Sequence, residues 1–450
     1  MKYQLRYIQL LIAGIALISL SAKGQENSMS LDQCIQYAMK NSIPVKNADL
    51  DYQSSKYKVK ETTAIGFPQI NGKVDFIYNL NIQKQFMPAN IFDPSAPEDL
   101  VIPISFGLDY ANNASITATQ LIFDGSYIIG LKAAKTFTEF YRNIHSKSKT
   151  DVAVNVSKAY YFVLITKDRL SQLIKNEKML QQLFNDTKVL QNNGFVESID
   201  LKRIEINVNN LNAEIQKLRS FELIALNMLK FQMGMPIKES LELSDKLVAA
   251  LAGISKNEDD PVYSDRPEFK ILNTQIQLNE LNLQNEKIRI LPSLGAFYTM
   301  GANYAANSFS DAMSFSDYQD YSMLGFSLNV PIFSSGQRKF RISQAKISVE
   351  KSQNDLSMLK SNIDLESIQS RNKLNNSLDI LAVRKENMQL AEEVYNNTKL
   401  KYEQGVGSNF EVLSAQTDLK TAQTDYYAAL YDVIIAKIDL DNDNGNFKIE

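Results

Sequence analysis

Two very long stretches without helix-breaking residues limit what this chain of 450 residues can fold into. Residues 337–404 contain neither glycine nor proline, and residues 126–193 contain only Gly130. Helices of about 68 residues would be roughly 100 Å long, because an α-helix rises 1.5 Å per residue. Such a helix exceeds the diameter of a small domain and needs neighbours along its whole length. The pattern therefore predicts a helical bundle or tube.

The two stretches are related by an internal duplication. Three pairs of short segments match in the same order, at a spacing of about 210 to 225 residues: 67–70 with 291–294, 121–125 with 331–336, and 186–194 with 397–405. Each half predicts a helix, two strands, a very long helix, a turn and a second long helix. The first helices are predicted over 30–65, with a break near Pro44, and over 267–290.

The second long helix of each repeat carries apolar residues at alternating steps of three and four. The first seam contains Leu201, Ile204, Val208, Leu211, Ile215, Leu218, Glu222, Ala225 and Leu229. The second contains Val412, Ala415, Leu419, Ala422, Tyr426, Ala429, Val433, Ala436 and Leu440. A sustained seam of this period is typical of coiled-coil packing.

Four segments alternate between apolar and polar residues with a period of two: 73–83, 104–119, 293–304 and 324–332. Their apolar faces favour strands of a membrane β-barrel with a wet lumen. A soluble sandwich with one solvated face is the alternative. Four strands cannot close a water-filled barrel, whereas three chains would supply twelve. Segments 84–103 and 308–320 would then be extracellular loops.

Residues 1–24 have the features of a secretory signal peptide. Lys2 and Arg6 precede an apolar run over 8–20, and small residues follow, so we expect cleavage after Gly24. A retained anchor helix is the alternative. Cleavage would change the formal charge from −3 to −6, because the segment holds three basic residues and no acidic one. A weakly acidic exported chain is a poor candidate for binding nucleic acid.

Enzyme chemistry is not indicated by the sequence. Cys34 is the only cysteine, so it cannot form an intramolecular disulfide and is expected to be a small buried thiol. His145 is the only histidine and has no cysteine or acidic cluster beside it, which excludes a His/Cys zinc site. Nucleophile elbows and phosphate-binding loops are missing. We therefore predict no catalytic residue, no metal site, no cofactor and no enzymatic activity.

These features resemble one family, the TolC-like outer-membrane efflux proteins. The motifs that carry the resemblance are Arg266-Pro267-Glu268 at a helix start, Leu291-Pro292-Ser293-Leu294 before a strand, Pro331-Ile332-Phe333 after one, Gly336 with Arg338, and Tyr402-Glu403-Gln404-Gly405-Val406-Gly407 followed by Phe410-Glu411-Val412-Leu413. They follow one another in this order over residues 266–413.

The resemblance implies a mostly α-helical chain with a membrane β-barrel part. Three copies would form a homotrimer in the cell outer membrane, with a twelve-stranded barrel continued by a tunnel of twelve long helices in the periplasm. It also implies docking to a periplasmic adaptor protein and an inner-membrane transporter. The channel would conduct substrates passively, and their selection would lie mostly in the partners.

The resemblance also implies a gate at the periplasmic entrance. Tyr402 matches a tyrosine that holds the closed state, and Glu411 matches the first of the acidic residues that ring the constriction. Ser414 and Gly407 depart from the family pattern, because some members carry a second acid and an arginine there. From the residues alone, Glu411 can also be a solvated charge in the first turn of a helix.

Glycine and proline predict the remaining structural sites. Inter-helix turns are expected at Gly194, Gly405 and Gly407, and helix–strand transitions at Pro68, Pro292 and Pro331. Asp200 is expected near a helix start.

The predicted segments are a signal peptide (1–24), the opening helices, β-hairpin and tunnel helices of the first repeat (25–66, 67–124 and 125–233), an equatorial segment (234–266), the opening helix, β-hairpin and tunnel helices of the second repeat (267–290, 291–333 and 334–441), and a C-terminal tail (442–450). A periplasmic coiled-coil scaffold or adaptor with a soluble β domain is the competing interpretation. A soluble domain should tolerate a charge at outward positions such as Phe106, Leu108, Phe326 or Leu328, whereas a lipid-facing barrel should not.

Overall fold

The computed structural model describes residues 28–247, 253–256, 260–314 and 317–447. The predicted signal peptide, residues 1–24, lies outside these ranges. The described chain divides into two compact units. The helical unit consists of the described residues within 28–52, 141–273 and 355–447. The sheet unit consists of those within 53–140 and 274–354.

The described helices are α1 (Leu31–Asn41), α2 (Ile43–Ala64), α3 (Gly125–Asn192), α4 (Ser198–Met233), α5 (Pro267–Ile288), α6 (Phe309–Ala312), α7 (Gln337–Glu403) and α8 (Asn409–Asp443). They follow the predicted order except for α6, a short helix within the segment 308–320 that was expected to be a loop. Both long stretches are single helices, α3 and α7, as predicted. The break between α1 and α2 falls at Ser42, so Pro44 lies in the first turn of α2, where its missing N–H costs no helical hydrogen bond. Among the described residues, no helix has both the length and the apolar character needed to cross a membrane.

The two heptad seams are buried in the helical unit, which confirms the coiled-coil prediction. On α4 the buried seam residues are Ile204, Val208, Leu211, Ile215, Leu218, Ala225 and Leu229, and on α8 they are Val412, Ala415, Leu419, Ala429, Val433, Ala436 and Leu440. One cluster joins the seam residues nearest the helix turns with Leu173, Leu180 and Leu183 of α3 and with Tyr395 and Tyr402 of α7. Burial of each large aliphatic side chain contributes about 1.5–3 kcal/mol.

A second cluster of the helical unit surrounds the N-terminal helix. Cys34 of α1 packs with Val156 and Tyr160 of α3, Leu229 of α4 and Ile434 of α8. The short strand β1 (Ser28–Met29) pairs in parallel with β6 (Glu242–Leu243) beside it. The N-terminal segment is therefore tied to the end of α4 by both a core and a backbone ladder.

The sheet unit contains a four-stranded antiparallel sheet in the order β2 (Gln69–Tyr78), β5 (Tyr110–Phe123), β7 (Ser293–Ala306) and β8 (Gln319–Asn329). The central pair, β5 with β7, joins the two repeats. Directly opposed residues of an antiparallel pair point to the same face of a sheet. The register can therefore be followed across all four strands.

That register places most of the large apolar residues of the four strands on one side, called here the apolar face, together with Asn112, Gln120, Asp320 and Ser322. It comprises Ile70, Val74, Phe76, Tyr78, Tyr110, Ala114, Ile116, Ala118, Leu294, Ala296, Tyr298, Met300, Ala302, Tyr304, Leu324, Phe326 and Leu328. The other side, the polar face, holds mostly polar or small residues, including Asn71, Lys73, Asp75, Asn113, Ser115, Thr117, Thr299, Asn303, Ser327 and Asn329, but also Ile77, Leu121, Phe297 and Met323. The alternation predicted for single strands is thus shared by the whole sheet.

The prediction of one strand over 104–119 was wrong. The segment forms the end of β4 (Val101–Ser105) and most of β5, with Gly107 at φ +142° between them. β4 pairs with β3 (Lys84–Pro88) in a separate two-stranded sheet, so residues 84–103 are not simply a loop. Alternation continues across the break, and it cannot reveal that a segment changes its pairing partner.

Two strand limits also differ from the prediction. β2 begins at Gln69 and ends at Tyr78, although alternation suggested 73–83, and β8 covers Gln319–Asn329 although it suggested 324–332. β2 ends where its ladder with β5 ends, at the pair Tyr78 and Tyr110. Hydrogen-bond pairing, not side-chain pattern, sets these limits.

Candidate functional site

The two long helical hairpins, the first formed by α3 and α4 and the second by α7 and α8, turn in the same way. α3 ends at Asn192 and Gly194 adopts φ +76°, while α7 ends at Glu403 and Gly405 adopts φ +75°. In each turn the residue after the glycine donates its backbone N–H to a carbonyl of the last helical turn: Phe195 to Leu190 at 2.9 Å and Val406 to Lys401 at 3.0 Å. These bonds form helix-ending Schellman motifs, in which glycine tolerates the left-handed backbone.

Gly407 has a different requirement. A Cβ atom there would lie 3.0 Å from the backbone nitrogen of Tyr402 and 3.2 Å from the carbonyl carbon of Lys401. The chain passes so close to the end of α7 that a side chain would force a shift. The glycine therefore lets the turn reach the start of α8, where Ser408 and Glu411 cap the helix.

Tyr402 lies inside the helical unit and is 7% exposed. Its hydroxyl is 3.1 Å from the hydroxyl of Thr187 on α3, which is fully buried. Tyr402, in the last turn of α7, belongs to the same buried cluster as Leu183 of α3 and Val412 of α8. Tyr402 thus links the two hairpins through both apolar packing and one buried hydrogen bond.

Glu411 forms a capping box with Ser408 at the start of α8. The Ser408 hydroxyl accepts from the Glu411 N–H at 3.2 Å, and the Glu411 carboxylate accepts from the Ser408 N–H at 3.3 Å. The side chain is otherwise exposed. Tyr402 and Glu411 are therefore not joined by a hydrogen bond, because one bonds Thr187 and the other Ser408.

Asn409 provides a second link between the hairpins. It is 4% exposed, and its amide donates to the backbone carbonyl of Asp200 on α4 at 2.9 Å. Arg203, one turn further along α4, lies 3.9 Å from the Asp200 carboxylate. Asp200, predicted as a helix-start residue, does lie in the first turn of α4.

Two further polar links lie farther from the turns. The Asn176 amide of α3 donates to the Gln423 carbonyl of α8 at 2.6 Å, and both residues are buried. Glu214 of α4 lies 2.9 Å from the Lys420 ammonium of α8 and 3.9 Å from the Arg169 guanidinium of α3. The first hairpin is therefore connected to the second at several levels along the helices.

Sequence reasoning identified Tyr402 but not its partners. Thr187 lies in the duplicated motif 186–194, and Asn409 and Gln423 are fourteen residues apart, two heptads, on α8. Asn409 and Gln423 recur at one heptad position beside the apolar seam, and a solvent-facing position would not be expected to repeat the same polar type. That recurrence is the signal that could have pointed to these residues.

The predicted transition prolines flank the strands of the four-stranded sheet. Pro68 and Pro292 immediately precede β2 and β7, and Pro331 lies two residues beyond β8. The Arg338 guanidinium of α7 donates to the Pro331 carbonyl at 3.5 Å. Each proline thus lies where the chain changes between helix and strand.

Potential metal ligands do not cluster in the described chain. Within it, no group of three or more His, Cys, Asp or Glu residues is arranged to hold a metal ion. His145 stacks on Tyr52, with ring centroids 6.3 Å apart. Burial, together with the charge of Lys149, lowers the pKa of His145 below its usual value.

Comparison with known proteins agrees with this architecture. Residues 266–446 match the family described as outer membrane efflux protein. A sequence search of curated proteins finds no match. Among solved structures, the outer membrane protein VceC from Vibrio cholerae is 11% identical, with a TM-score of 0.68 over 92% of this chain and 96% of that one.

Two other solved structures are similar. The CmeC outer membrane channel of Campylobacter jejuni is 14% identical, with a TM-score of 0.69 over 94% of this chain and 90% of that one. The MtrE outer membrane channel of Neisseria gonorrhoeae, in its open state, is 14% identical, with a TM-score of 0.71 over 92% and 88%. The mostly helical, duplicated fold predicted from the sequence is confirmed by these likenesses.

Proposed function

We propose that the chain is an outer-membrane efflux channel, because residues 266–446 match the outer membrane efflux protein family and the fold is similar to those of solved outer-membrane channels. It works in a tripartite export system. The channel conducts substrates passively from the periplasm to the exterior when a periplasmic adaptor and an inner-membrane pump are docked to it. The pump supplies the energy, so the channel itself needs no catalytic site.

The observation that carries this proposal is the apolar face of the four-stranded sheet. Val74, Leu324, Phe326 and Leu328 on this face are each more than 60% exposed in the single chain. A soluble protein rarely leaves so large a contiguous apolar surface uncovered. Lipid is the natural environment for one apolar sheet face opposed by a polar face. The polar face, where Thr117 and Thr299 share a hydrogen bond of 3.0 Å, then lines the lumen.

Closure of the barrel requires further copies of the chain. β2 and β8 are the edge strands of the sheet, and open edges are not tolerated in lipid. Three sheets of four strands give the twelve-stranded barrel of a homotrimer.

An aromatic cluster supports the membrane orientation. At one end of the sheet, Tyr78 and Tyr110 stack with ring centroids 4.7 Å apart, and Phe309 packs edge-on to Tyr110 at 6.0 Å. Phe76 joins them at 6.0 Å from Tyr110. Aromatic girdles of this kind mark the level where a membrane barrel meets the interface.

The helical unit also offers uncovered surface to neighbouring copies. Exposed apolar residues recur at helical spacing on α4, at Phe221, Ile224, Met228 and Phe231, and along α7, at Met358, Leu365, Ile368, Val383, Leu390 and Val394. A tunnel of twelve helices would cover these stripes. We place this tunnel in the periplasm.

The adaptor has a candidate docking surface near the turns. A groove of about 440 Å³ between α4 and α8 is lined by Arg203, Ile206, Asn207, Phe410, Leu413, Ser414, Thr417 and Asp418. Ile206 and Phe410 are more than half exposed there. We further propose that Tyr402 holds the closed entrance and that three copies of Glu411 form an acidic ring at the constriction, in addition to its capping role.

The protomer number of the protein extracted from outer-membrane fractions in mild detergent tests this proposal. Light scattering should give a trimer, and the purified trimer should conduct ions in planar bilayers. A monomer recovered from the soluble periplasm would refute the channel. It would favour a periplasmic coiled-coil scaffold or adaptor with a soluble β domain.

A further inference from the structure

The buried surface of α8 changes character along its length. Asn409, Gln416 and Gln423 follow one another at intervals of seven residues and are 4%, 7% and 6% exposed. They form one buried stripe of the helix, called here the amide column. The next position of the same stripe is Leu430, which is 2% exposed. The column is therefore confined to the half of α8 next to the turn.

The amide column faces the first hairpin. Asn409 donates to the Asp200 carbonyl of α4, and Gln423 accepts from Asn176 of α3. Apolar residues of the seam, Val412 and Leu419, lie between the amides. The contact between the hairpins thus alternates apolar layers with amide layers over this half of α8.

The hydrogen bonding of these layers is incomplete. Within the described chain, Asn176 Oδ1, Asn409 Oδ1 and the Tyr395 hydroxyl are buried and have no hydrogen-bond partner. A buried polar atom without a partner carries a desolvation penalty that disappears when the atom meets water. Separation of the hairpins would relieve that penalty, whereas separation of an apolar seam would gain nothing comparable.

The opposite end of α8 is fastened by charge. The Arg266 guanidinium, 6% exposed, donates to the Asp443 carbonyl at 2.7 Å and to the Glu366 carboxylate of α7 at 3.0 Å. Asp439 lies 2.5 Å from the Lys158 ammonium of α3 and 3.0 Å from that of Lys373 on α7. Loss of its partners would be costly for the buried Arg266 guanidinium, whereas the partly exposed pairs of Asp439 add smaller contributions.

From this contrast we infer that the amide column is a release seam, along which the turn half of α8 separates from α3 and α4 while the charged end remains fixed. Its role in opening the channel rests on the proposed function. Asn176, Gln416 and Gln423 are positioning residues: they set how easily the hairpins part.

Hydrogen exchange of the purified protein in detergent tests the seam without reference to transport. The variant Asn176→Leu/Gln423→Leu replaces one amide layer by an apolar one. We expect backbone amides over 409–423 to exchange at least about tenfold more slowly than in the wild type, with little change over 430–443. Exchange that is unchanged or faster in a correctly assembled variant would overturn the inference.

Two further variants test whether a change in hydrogen exchange arises from the amide column itself. Asn210→Leu, on an exposed position of α4, makes the same type of change outside the seam and should leave exchange over 409–423 unchanged. Gln416→Leu needs no matched second substitution, so it provides the same test if the double variant does not assemble. It should also slow exchange, and faster exchange would count against the seam.

Bilayer recordings distinguish failure of the seam from failure of the proposed function. If the wild type conducts, the double variant should show at least a severalfold lower open probability. Slower exchange with unchanged conductance would refute the gating role of the seam. A wild type that never conducts would refute the channel, while the exchange result would still decide whether the seam exists.

Discussion

The hydroxyl of Tyr402 lies 3.1 Å from that of Thr187 in the core shared by the two long helical hairpins. Removing this hydrogen bond is the most direct test of Tyr402, the predicted gate residue. We expect Tyr402→Phe to lower the free energy of unfolding by about 1 kcal/mol, because the Thr187 hydroxyl stays buried and loses its partner. Thermal unfolding in detergent would measure the change.

Thr187→Val provides the matched half of a double-mutant cycle. If the two hydroxyls act as a pair, the double variant should be less destabilised than the sum of the single variants. Tyr57→Phe, at a tyrosine that is 66% exposed, should have little effect. Strict additivity at positions 187 and 402 would show that the pair is not coupled.

Glu411 can be tested for its two roles separately. Glu411→Gln keeps an acceptor for the Ser408 N–H but removes the charge, so stability should change little while cation selectivity falls if three copies form a ring. Reversal potentials in planar bilayers under a salt gradient report the selectivity. Ser408→Ala should instead cost about 0.5–2 kcal/mol of stability through the lost cap and leave selectivity intact. Unchanged selectivity in Glu411→Gln would leave only the capping role.

The apolar face predicts a sharp difference between neighbouring residues of β8. Phe326→Lys places a charge on the apolar face and should cost about 2–4 kcal/mol near the bilayer midplane, so that trimers fail to assemble in the outer membrane. Ser327→Lys places the same charge on the polar face and should be tolerated. Native gel analysis of membrane fractions distinguishes the two. Equal assembly of both variants would contradict a lipid-facing sheet.

Asp439 predicts a dependence of stability on pH. Although burial acts in the opposite direction, hydrogen bonds from Lys158 and Lys373 hold the pKa of this carboxyl below its usual value. A lowered pKa stabilises the folded state above the unfolded-state value of about 3.9, and this stabilisation is lost as the pH falls through the folded-state pKa. Asp439→Asn should therefore lower Tm at pH 7 but have little effect in strongly acid solution. Asp51→Asn, at an exposed position of α2, is the control, and a loss of stability that does not vary with pH would contradict the prediction.

Cys34 should be chemically inert in the folded protein. It is fully buried, and burial, together with the charge of Asp245, raises the pKa of its thiol to about 12. Because the thiolate is the reactive form, we expect negligible maleimide labelling at neutral pH and complete labelling in denaturant. Ser220→Cys introduces an exposed thiol on α4 that should label rapidly in the same sample. Rapid labelling of native Cys34 would mean that the α1 core opens readily.

Much of the helical architecture follows from local sequence. The long stretch of α7 without glycine or proline and the periodic seam of α8 are both visible among neighbouring residues, so both helices were predictable, although packing against other helices is what stabilises them. The strands were predictable as alternating segments but not in their limits. β4 and β5 were predicted as one strand, because the limits of a strand depend on its pairing partners and these lie far apart in sequence.

The candidate gate residues were predictable from the sequence, but their hydrogen-bond partners were not. The duplicated motifs and the resemblance they carry pointed to Tyr402, Glu411 and the turn glycines, and the backbone angles of Gly194 and Gly405 are a local property of the helix ends. The partners of Tyr402 and Gln423 lie more than two hundred residues away, on α3. A hydrogen bond across that distance depends on how the helices pack, which no local pattern specifies.

By itself, then, the sequence determined the long helices, their heptad seams and the alternation of each strand, because these depend on the chemistry of residues close together in the chain. Only the tertiary structure decided that the four apolar strand faces coincide, that β3 and β4 form a separate ladder, and that the amide column meets Asn176 and Asp200. Those features depend on register and helix packing, where one-residue shifts reverse a face or separate a pair.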